Sequence, residues 1–364
     1  MKNYDIGVHT KSFFFEENSK NTTIYENKEK LSEIKGRIDD CDSKKWEDAK
    51  KKLNPYEFIY TSSKQSSNIC KILPISRSYF KLHEIIRNND LLINDGYYSC
   101  IAEGPGGFIH CINQLSKYEN KNIKNVFGIT LISSDKTIPY WNQSIINNPK
   151  NQIINGEDDT GNIYDYKNVQ FFIKNINYNF CHLVTADGGF DYSEDYNSQE
   201  ISSYKLLYSE IYIALNIQKI GGTFVIKFFD LFTYKTIQLL YILYLCYSDI
   251  KIYKPSTSRS SNSEKYIICN GFVGCEKKIK DTLNVYFDTC EKLHIIIPQT
   301  FLDEINDFNN LFVSSQINSI KEILEIINNN KKIDKTPSKE QIKNALEWCE
   351  KYDLPINDKC SYLK

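Results

Sequence analysis

The chain has 364 residues, 41% of them hydrophobic and 25% charged, with a formal net charge of −1. This is ordinary globular composition, long enough for two domains or one large domain with extensions, and it excludes a global basic field that would hold nucleic acid non-specifically. Any nucleic-acid contact must come from a local patch. The 11 cysteines show no CxxC or CxxH spacing, so neither a disulfide framework nor a zinc site is expected, and no metal is implied. MKNYDIGVHTKSFFF lacks a signal-peptide core and IQLLYILYLCY is too short to span a bilayer. A soluble protein in a reducing compartment, without membrane contact, is expected.

Residues 1–70 are polar, of mixed charge and weakly periodic. SKKWEDAKKKL reads as a solvated helix with i,i+4 ion pairs, and the aromatics Phe13 to Phe15, Tyr56, Phe58 and Tyr60 as core or docking contacts. In ISRSYFKLHEII, Ser76 is placed to cap a helix starting at Arg77, with Tyr79, Leu82 and Ile86 on its apolar face. Lys81 then reads, in isolation, as a solvated helix lysine. YYSCIAE is a strand that runs into GPGGF and a following helix. Strand, glycine turn and helix make a ligand cradle in which the backbone approaches closely and free N–H groups at the helix start face the ligand.

NVFGITLI reads as the second strand, NQIING as a candidate third, and GEDDTGNIYDYKNVQFF as a turn followed by a helix. FCHLVTADGGFD is the fourth strand, where Asp187 ahead of Gly188 suits a turn. A helix from about Gln199 to Gln218 leads to the fifth strand, GGTFVIKFF. Alternating strands and helices imply a mostly parallel, doubly wound α/β sheet. EKYIICNGF follows a loop rather than a helix, so it is expected to run antiparallel. From Val273 onward the chain reads as mainly helical. Lys227 ends one apolar β-run and Glu264 begins another. A charged residue at the carboxyl end of a buried parallel strand points into the crevice where α/β sheets bind ligands, so the two suggest a proton-handling pair; the competing reading is a salt bridge at a sheet edge.

Lys81 in SRSYFKLHEI, GPGGF, Asp187 in TADGGFD, Lys227 in VIKFFDLF and Glu264 in KPSTSRSSNSEKYIIC together resemble the FtsJ-like (RrmJ-type) methyltransferases, over roughly Leu73 to Phe272. The KPxTSRxxNSE and KxFDLFT patterns look like the cap-specific mRNA nucleoside-2′-O-methyltransferase branch. The resemblance implies a Rossmann-like, seven-stranded sheet that binds S-adenosyl-L-methionine, with an N-terminal extension (1–70), an FtsJ-like domain (71–275) and a C-terminal helical region (276–364). It implies a catalytic tetrad of Lys81, Asp187, Lys227 and Glu264. It implies cofactor contacts from Glu103, Gly104, Gly106, Gly107, Phe108, Thr130, Leu131 and Asp158, with Asp159 a competing choice. The family often has an acid where this chain has Cys100, and here Glu103 stands immediately before Gly104 instead.

The reaction implied is methylation of the ribose 2′-hydroxyl of the first transcribed nucleotide of capped mRNA. Other capping enzymes are candidate partners, and a ribosomal RNA substrate or a catalytically silent RNA- or partner-binding scaffold are the alternatives. Lys227 is then the general base or the group that holds the hydroxyl lone pair in line. Burial and Lys81 push its pKa down while Asp187 and Glu264 push it up, and sequence alone leaves the winner open. Lys254, Ser258 and Arg259 suit phosphate contacts. Tyr192, Tyr196 and Tyr253 are available to stack on a methylated guanine, with nothing to choose between them. Abundant Asn, Lys, Ile and Tyr reflect AT-rich codons and fit a large DNA virus or an AT-rich protist, which would place the protein in the cytoplasm or, if viral, in the host cytoplasm or virion.

Overall fold

Strand residues of this chain alternate between two apolar faces. In GGTFVIKFF, Phe224 and Ile226 enter one core and Val225 the other; in EKYIICNGF, Ile267 and Cys269 enter the first and Tyr266 and Ile268 the second. Strands apolar on both faces belong inside a sheet with helices on either side. The computed structural model shows that sheet. It describes residues 3–9, 11, 26–190, 195–290, 293, 295–329 and 333–364; Phe13 to Phe15 and Tyr192 lie outside them.

The described strands are β1 (Asn3–Asp5), β2 (Gly96–Ile101), β3 (Ile123–Ile129), β4 (Asn151–Ile153), β5 (Cys181–Ala186), β6 (Gln218–Phe228), β7 (Tyr247–Tyr253) and β8 (Lys265–Phe272). The helices are α1 (Glu26–Asp39), α2 (Ser43–Leu53), α3 (Ser78–Asn89), α4 (Gly107–Tyr118), α5 (Gln143–Ile146), α6 (Tyr166–Ile176), α7 (Gln199–Ser202), α8 (Tyr204–Ile217), α9 (Tyr234–Cys246), α10 (Lys277–Val285), α11 (Gln299–Asn328) and α12 (Lys339–Lys351). The strands form one sheet in the order β1-β7-β8-β6-β5-β2-β3-β4. From β4 to β6 the neighbours are parallel. β8 lies antiparallel between β6 and β7. The expected seven strands are present, and β1 adds an eighth by pairing antiparallel with the edge of β7.

Three local expectations need correction. α3 begins at Ser78 rather than Arg77 and has no side-chain cap; the Ser76 carbonyl accepts the Tyr79 N–H instead. The single helix expected over Gln199–Gln218 is broken at Ser203 into α7 and α8. α2 is not simply solvated: it buries Trp46 and Ala49 and packs on α11.

α9 is apolar almost all round because it is covered almost all round. It lies against α8 and β7, and Phe301 of α11 packs edge-on to Tyr241 with ring centroids 5.0 Å apart. No helix among the described residues is long and apolar enough to cross a membrane. The terminal helices hold the two segments on which the site depends. Lys35 of α1 pairs with buried Asp230 at 2.8 Å, and Ser263 donates to the same carboxylate oxygen at 3.0 Å. Burial raises the Asp230 pKa, but Lys35 and Lys265 outweigh it and hold the carboxyl below its ordinary value. From α11, Asn309 donates to the Leu231 carbonyl at 2.7 Å and Gln316 to the Ser261 carbonyl at 3.1 Å. From α12, Trp348 donates its indole N–H to Glu84 at 3.0 Å.

Removing one partner of a buried pair leaves the other charge stranded, at a cost of about 3 kcal/mol. Lys35→Met should therefore lower the unfolding free energy by about that amount in urea titrations. A loss under ~1 kcal/mol would show that α1 is not anchored through Asp230.

Candidate active site

Side-chain parity places the charged residues. Lys227 lies two residues after Val225, Glu264 two before Tyr266, and Asp187 two after Thr185 and four after Leu183. Val225, Tyr266 and Leu183 all face the core that α3 covers. Lys81 projects from α3 on that same side.

The structure brings the four groups together as two ion pairs. Lys227 Nζ lies 3.2 Å from Asp187 Oδ1 and donates to the Asp187 carbonyl at 2.8 Å. Lys81 Nζ donates to Glu264 Oε2 at 2.7 Å. The side chains of Lys227 and Asp187 are each 11% exposed. Tyr266 donates to Asp187 Oδ1 at 2.8 Å and Ser258 to Glu264 Oε1 at 2.7 Å. The question of Lys227's charge now has an answer for the resting protein. Burial works against the ammonium, but Asp187, Glu264 and Glu210 outweigh it and raise its pKa. Burial likewise opposes the Glu264 carboxylate, but Lys81, Lys227 and Lys254 hold its pKa well below the ordinary value. At neutral pH the Lys227 ammonium and the Glu264 carboxylate are therefore both charged.

Beside the pairs, the carboxyl ends of β2, β3 and β4 converge on Thr130. Its hydroxyl accepts the Gly104 N–H at 3.2 Å, and a Cβ at Gly161 would fall 1.8 Å from its carbonyl oxygen. Leu131, Asp158 and Asp159 are exposed at this junction. Asp158 accepts from the Thr160 backbone and hydroxyl, which keeps its carboxyl ionised below the ordinary range. An exposed carboxylate and an exposed apolar side chain around a glycine turn fit the hydroxyls and ring of a nucleoside cofactor. One expectation at the turn is corrected, and two of its residues have packing roles of their own. The helix-start N–H groups are not free, because Glu103 turns inward and accepts from Phe108 at 2.5 Å and from Ile109 at 3.4 Å. Phe108 is a fully buried core residue. Gly107 is small because α4 presses on the start of α3: a Cβ there would lie 2.1 Å from the hydroxyls of Ser76 and Ser78. At Gly106, φ is +107° and a Cβ would lie 2.7 Å from Ile145; at Gly104 it would lie 2.2 Å from the Pro139 carbonyl.

The three residues expected to contact phosphate already have partners within the protein. Lys254 spends its ammonium on the Asn262 side chain, the Asn262 carbonyl at 2.7 Å and the Glu264 carbonyl at 2.7 Å. It builds the loop that presents Glu264. Ser258 is buried and serves Glu264 directly. Arg259 is held by Glu57 at 3.1 Å and Glu47 at 3.4 Å. Tyr253 is buried and bonded to Glu84, which takes it out of the stacking candidates. No group of three or more His, Cys, Asp or Glu side chains among the described residues could hold a metal ion.

A mostly parallel sheet with an antiparallel strand, here β8, inserted between β6 and β7, and charged groups gathered over the carboxyl ends of its strands, is the architecture of the Rossmann-like methyltransferase class. The chain belongs to the FtsJ-like methyltransferase family, whose model matches residues 74–272. It is 27% identical over 325 residues to the cap-specific mRNA (nucleoside-2′-O-)-methyltransferase 1 of Xenopus laevis, covering 78% of this chain and 36% of that protein. It is 28% identical over 322 residues to the cap-specific mRNA (nucleoside-2′-O-)-methyltransferase 2 of Pongo abelii, covering 82% and 41%. The chain thus spans well under half the length of these curated relatives. A solved Plasmodium falciparum structure described as a ribosomal RNA methyltransferase superposes with a TM-score of 0.40 at 22% identity, covering 55% of this chain and 98% of that one.

One charged group at the site escaped the sequence reading. Glu210 lies in the apolar run of α8, is buried, and accepts the Gly188 N–H at 3.1 Å. Gly188 and Gly189 leave it and Lys227 room: a Cβ at Gly188 would lie 2.4 Å from Glu210 Oε1, and one at Gly189 3.0 Å from Lys227 Nζ. The signal was a lone glutamate in SEIYIALN, a residue type that is almost never buried without a reason. Burial pushes its carboxyl up to about 8, against the pull of Lys227 and the Gly188 N–H, with Asp187 adding to the rise. Between the ordinary glutamate value and about 8 the folded protein holds a proton that the unfolded chain has lost. That stabilisation is complete at low pH and disappears as pH rises through the folded value. Glu210→Gln should therefore show a smaller fall in Tm than the parent between about pH 5 and about pH 8. Parallel Tm curves across that window would show that the carboxyl is not titrating there.

Proposed function

We propose that this protein is an S-adenosyl-L-methionine-dependent RNA 2′-O-methyltransferase that acts on the ribose of the first transcribed nucleotide of capped mRNA. The observation that carries the reading is the meeting of Lys227–Asp187 and Lys81–Glu264 over the carboxyl end of β6. The names of the relatives support the capped substrate, and the family supports methyl transfer.

The cofactor supplies a methyl group on a sulfonium, and Thr130, Leu131, Asp158 and the turn at Gly104–Gly106 are the residues placed to hold it. The protein's own work is alignment and proton handling. Lys227 is charged at rest, so it enters as a donor to the 2′-oxygen and leaves a lone pair pointing along the line of attack. Because the Lys227 ammonium has no lone pair, the hydroxyl proton ends on the Asp187 carboxylate, as Lys227 passes one of its own protons to Asp187 and takes the hydroxyl proton in its place. Lys81, tethered by Glu264, steadies the ribose and the neighbouring phosphate. Tyr266 keeps Asp187 from turning away.

Incubating the protein with cofactor and a short capped RNA, then locating the added mass, tests the whole reading. The expected product carries one methyl on the first transcribed ribose, and uncapped RNA or ribosomal RNA fragments are poor competitors. Lys227→Ala and Asp187→Ala should each lower kcat by at least about 100-fold with cofactor affinity near the parent's; because each strands the other charge of a buried pair, each should also lower the unfolding free energy by about 3 kcal/mol while the protein still folds. Methylation of uncapped RNA with equal kcat/KM would overturn the substrate assignment, and a Lys227→Ala variant within tenfold of the parent would overturn the mechanism.

A further inference from the structure

Glu57 belongs to the segment before the FtsJ-like match, yet it is among the most enclosed charged groups of the protein, with its side chain 1% exposed. It sits on the 3-10 turn Glu57–Ile59, just after α2. Three donors converge on it. Arg77 reaches Oε1 at 3.1 Å, Arg259 reaches Oε1 at 3.1 Å and Oε2 at 3.4 Å, and Asn54 donates to Oε2 at 2.7 Å. The outer side of the cluster is closed by Glu47, which touches Arg259 at 3.4 Å and also pairs with Lys50, and by the Tyr60 carbonyl, which accepts from Arg77 at 2.6 Å.

The two arginines lie on the two segments that meet at the active site. Arg77 precedes Lys81 by one helical turn, so both lie along one face at the start of α3. Arg259 follows Ser258, whose hydroxyl holds Glu264 Oε1 at 2.7 Å. One carboxylate therefore ties the segment that carries Lys81 to the loop that carries Glu264. The Lys81–Glu264 contact at 2.7 Å spans the same two segments. From this geometry we propose that Glu57 is a positioning residue for methyl transfer: it clamps Arg77 and Arg259 and so sets the register of Lys81 against Glu264. The inference rests on the tetrad reading above and adds to it a fixed outer support from the N-terminal region. Its effect falls on the substrate side, because none of these hydrogen bonds reaches Thr130, Gly104 or Gly106; the turn meets the start of α3 by packing, at Gly107 against Ser76 and Ser78.

The test compares the full chain with Glu57→Gln, Arg259→Lys, the double variant and Glu47→Gln. Glu57→Gln keeps the shape and removes the charge. Arg259→Lys keeps the charge and loses the fork. Each should lower kcat on capped RNA by about 10- to 100-fold, as a displacement near 1 Å does, while affinity for S-adenosylhomocysteine stays within about twofold. The double variant should be no worse than the poorer single one, because the two act through one contact. Glu47→Gln, at a half-exposed pair, should stay within about twofold of the parent. Hydrogen exchange should quicken at residues 255–264 and 77–81 in Glu57→Gln. A folded Glu57→Gln with parental kcat, an equal loss of cofactor affinity, or additive effects in the double variant would overturn the proposal. Should Glu57→Gln fail to fold, Arg259→Lys decides by the same readings. A parent protein that methylates no capped RNA would defeat the functional reading, and the exchange measurement would still decide the clamp.

Discussion

Two ammonium groups and two carboxylates share a nearly dry space above the end of one β-strand, and their mutual neutralisation is the condition the rest of the structure meets. A buried lysine without a partner would shed its proton; a buried carboxylate without one would take a proton up. Here each has its opposite within 3.2 Å. The surrounding polar groups follow from that. Tyr266 satisfies Asp187, Ser258 satisfies Glu264, and Lys254 stitches together the backbone that carries Glu264. Glu210 and Glu103 are exceptions, buried carboxyls with raised pKa values, and Glu210 supports the turn beneath Asp187.

Such a site needs walls that do not move. The two glycines after Asp187 let Lys227 and Glu210 approach the turn more closely than any side chain would allow. The loop from Lys254 to Glu264 is irregular and would be free on its own. It is held by Glu84 through the Ser256 N–H and hydroxyl, by Gln316 of α11, and by Ser263 against the Asp230–Lys35 pair. The helices at both ends of the chain, which lie outside the family match, thus contribute to the geometry of the region inside it. This also accounts for α9: a helix apolar on every side requires a cover, and α11 is that cover.

Much of this was legible in the order of residues. The alternation of Phe224, Val225, Ile226 and Lys227 states which face Lys227 must share, and the same count from Tyr266 and Leu183 places Glu264 and Asp187 beside it. The loop before EKYIICNGF told the antiparallel direction of β8. What residue type did not reveal is which polar residues near the site have partners inside the protein. Lys254 and Ser258 face the loop that contains them, and Glu103 faces the helix that follows it. Each is close in sequence to its partner, and where that partner is a backbone group, as for Lys254 and Glu103, it leaves no mark in residue identity.

By itself, then, the sequence determined the parallel core and the sidedness of the strands, because these depend on a two-residue period; the four charged groups were joined only through the resemblance to a family, since Lys81 alone reads as a solvated helix lysine and Asp187 as a turn residue. Tertiary structure alone decided the resting charge of Lys227, the burial of Glu210 and the capture of Arg259 by Glu57. Those depend on distances between segments far apart in the chain, where opposing effects of desolvation and Coulomb attraction differ by less than the size of either, and only position resolves the difference.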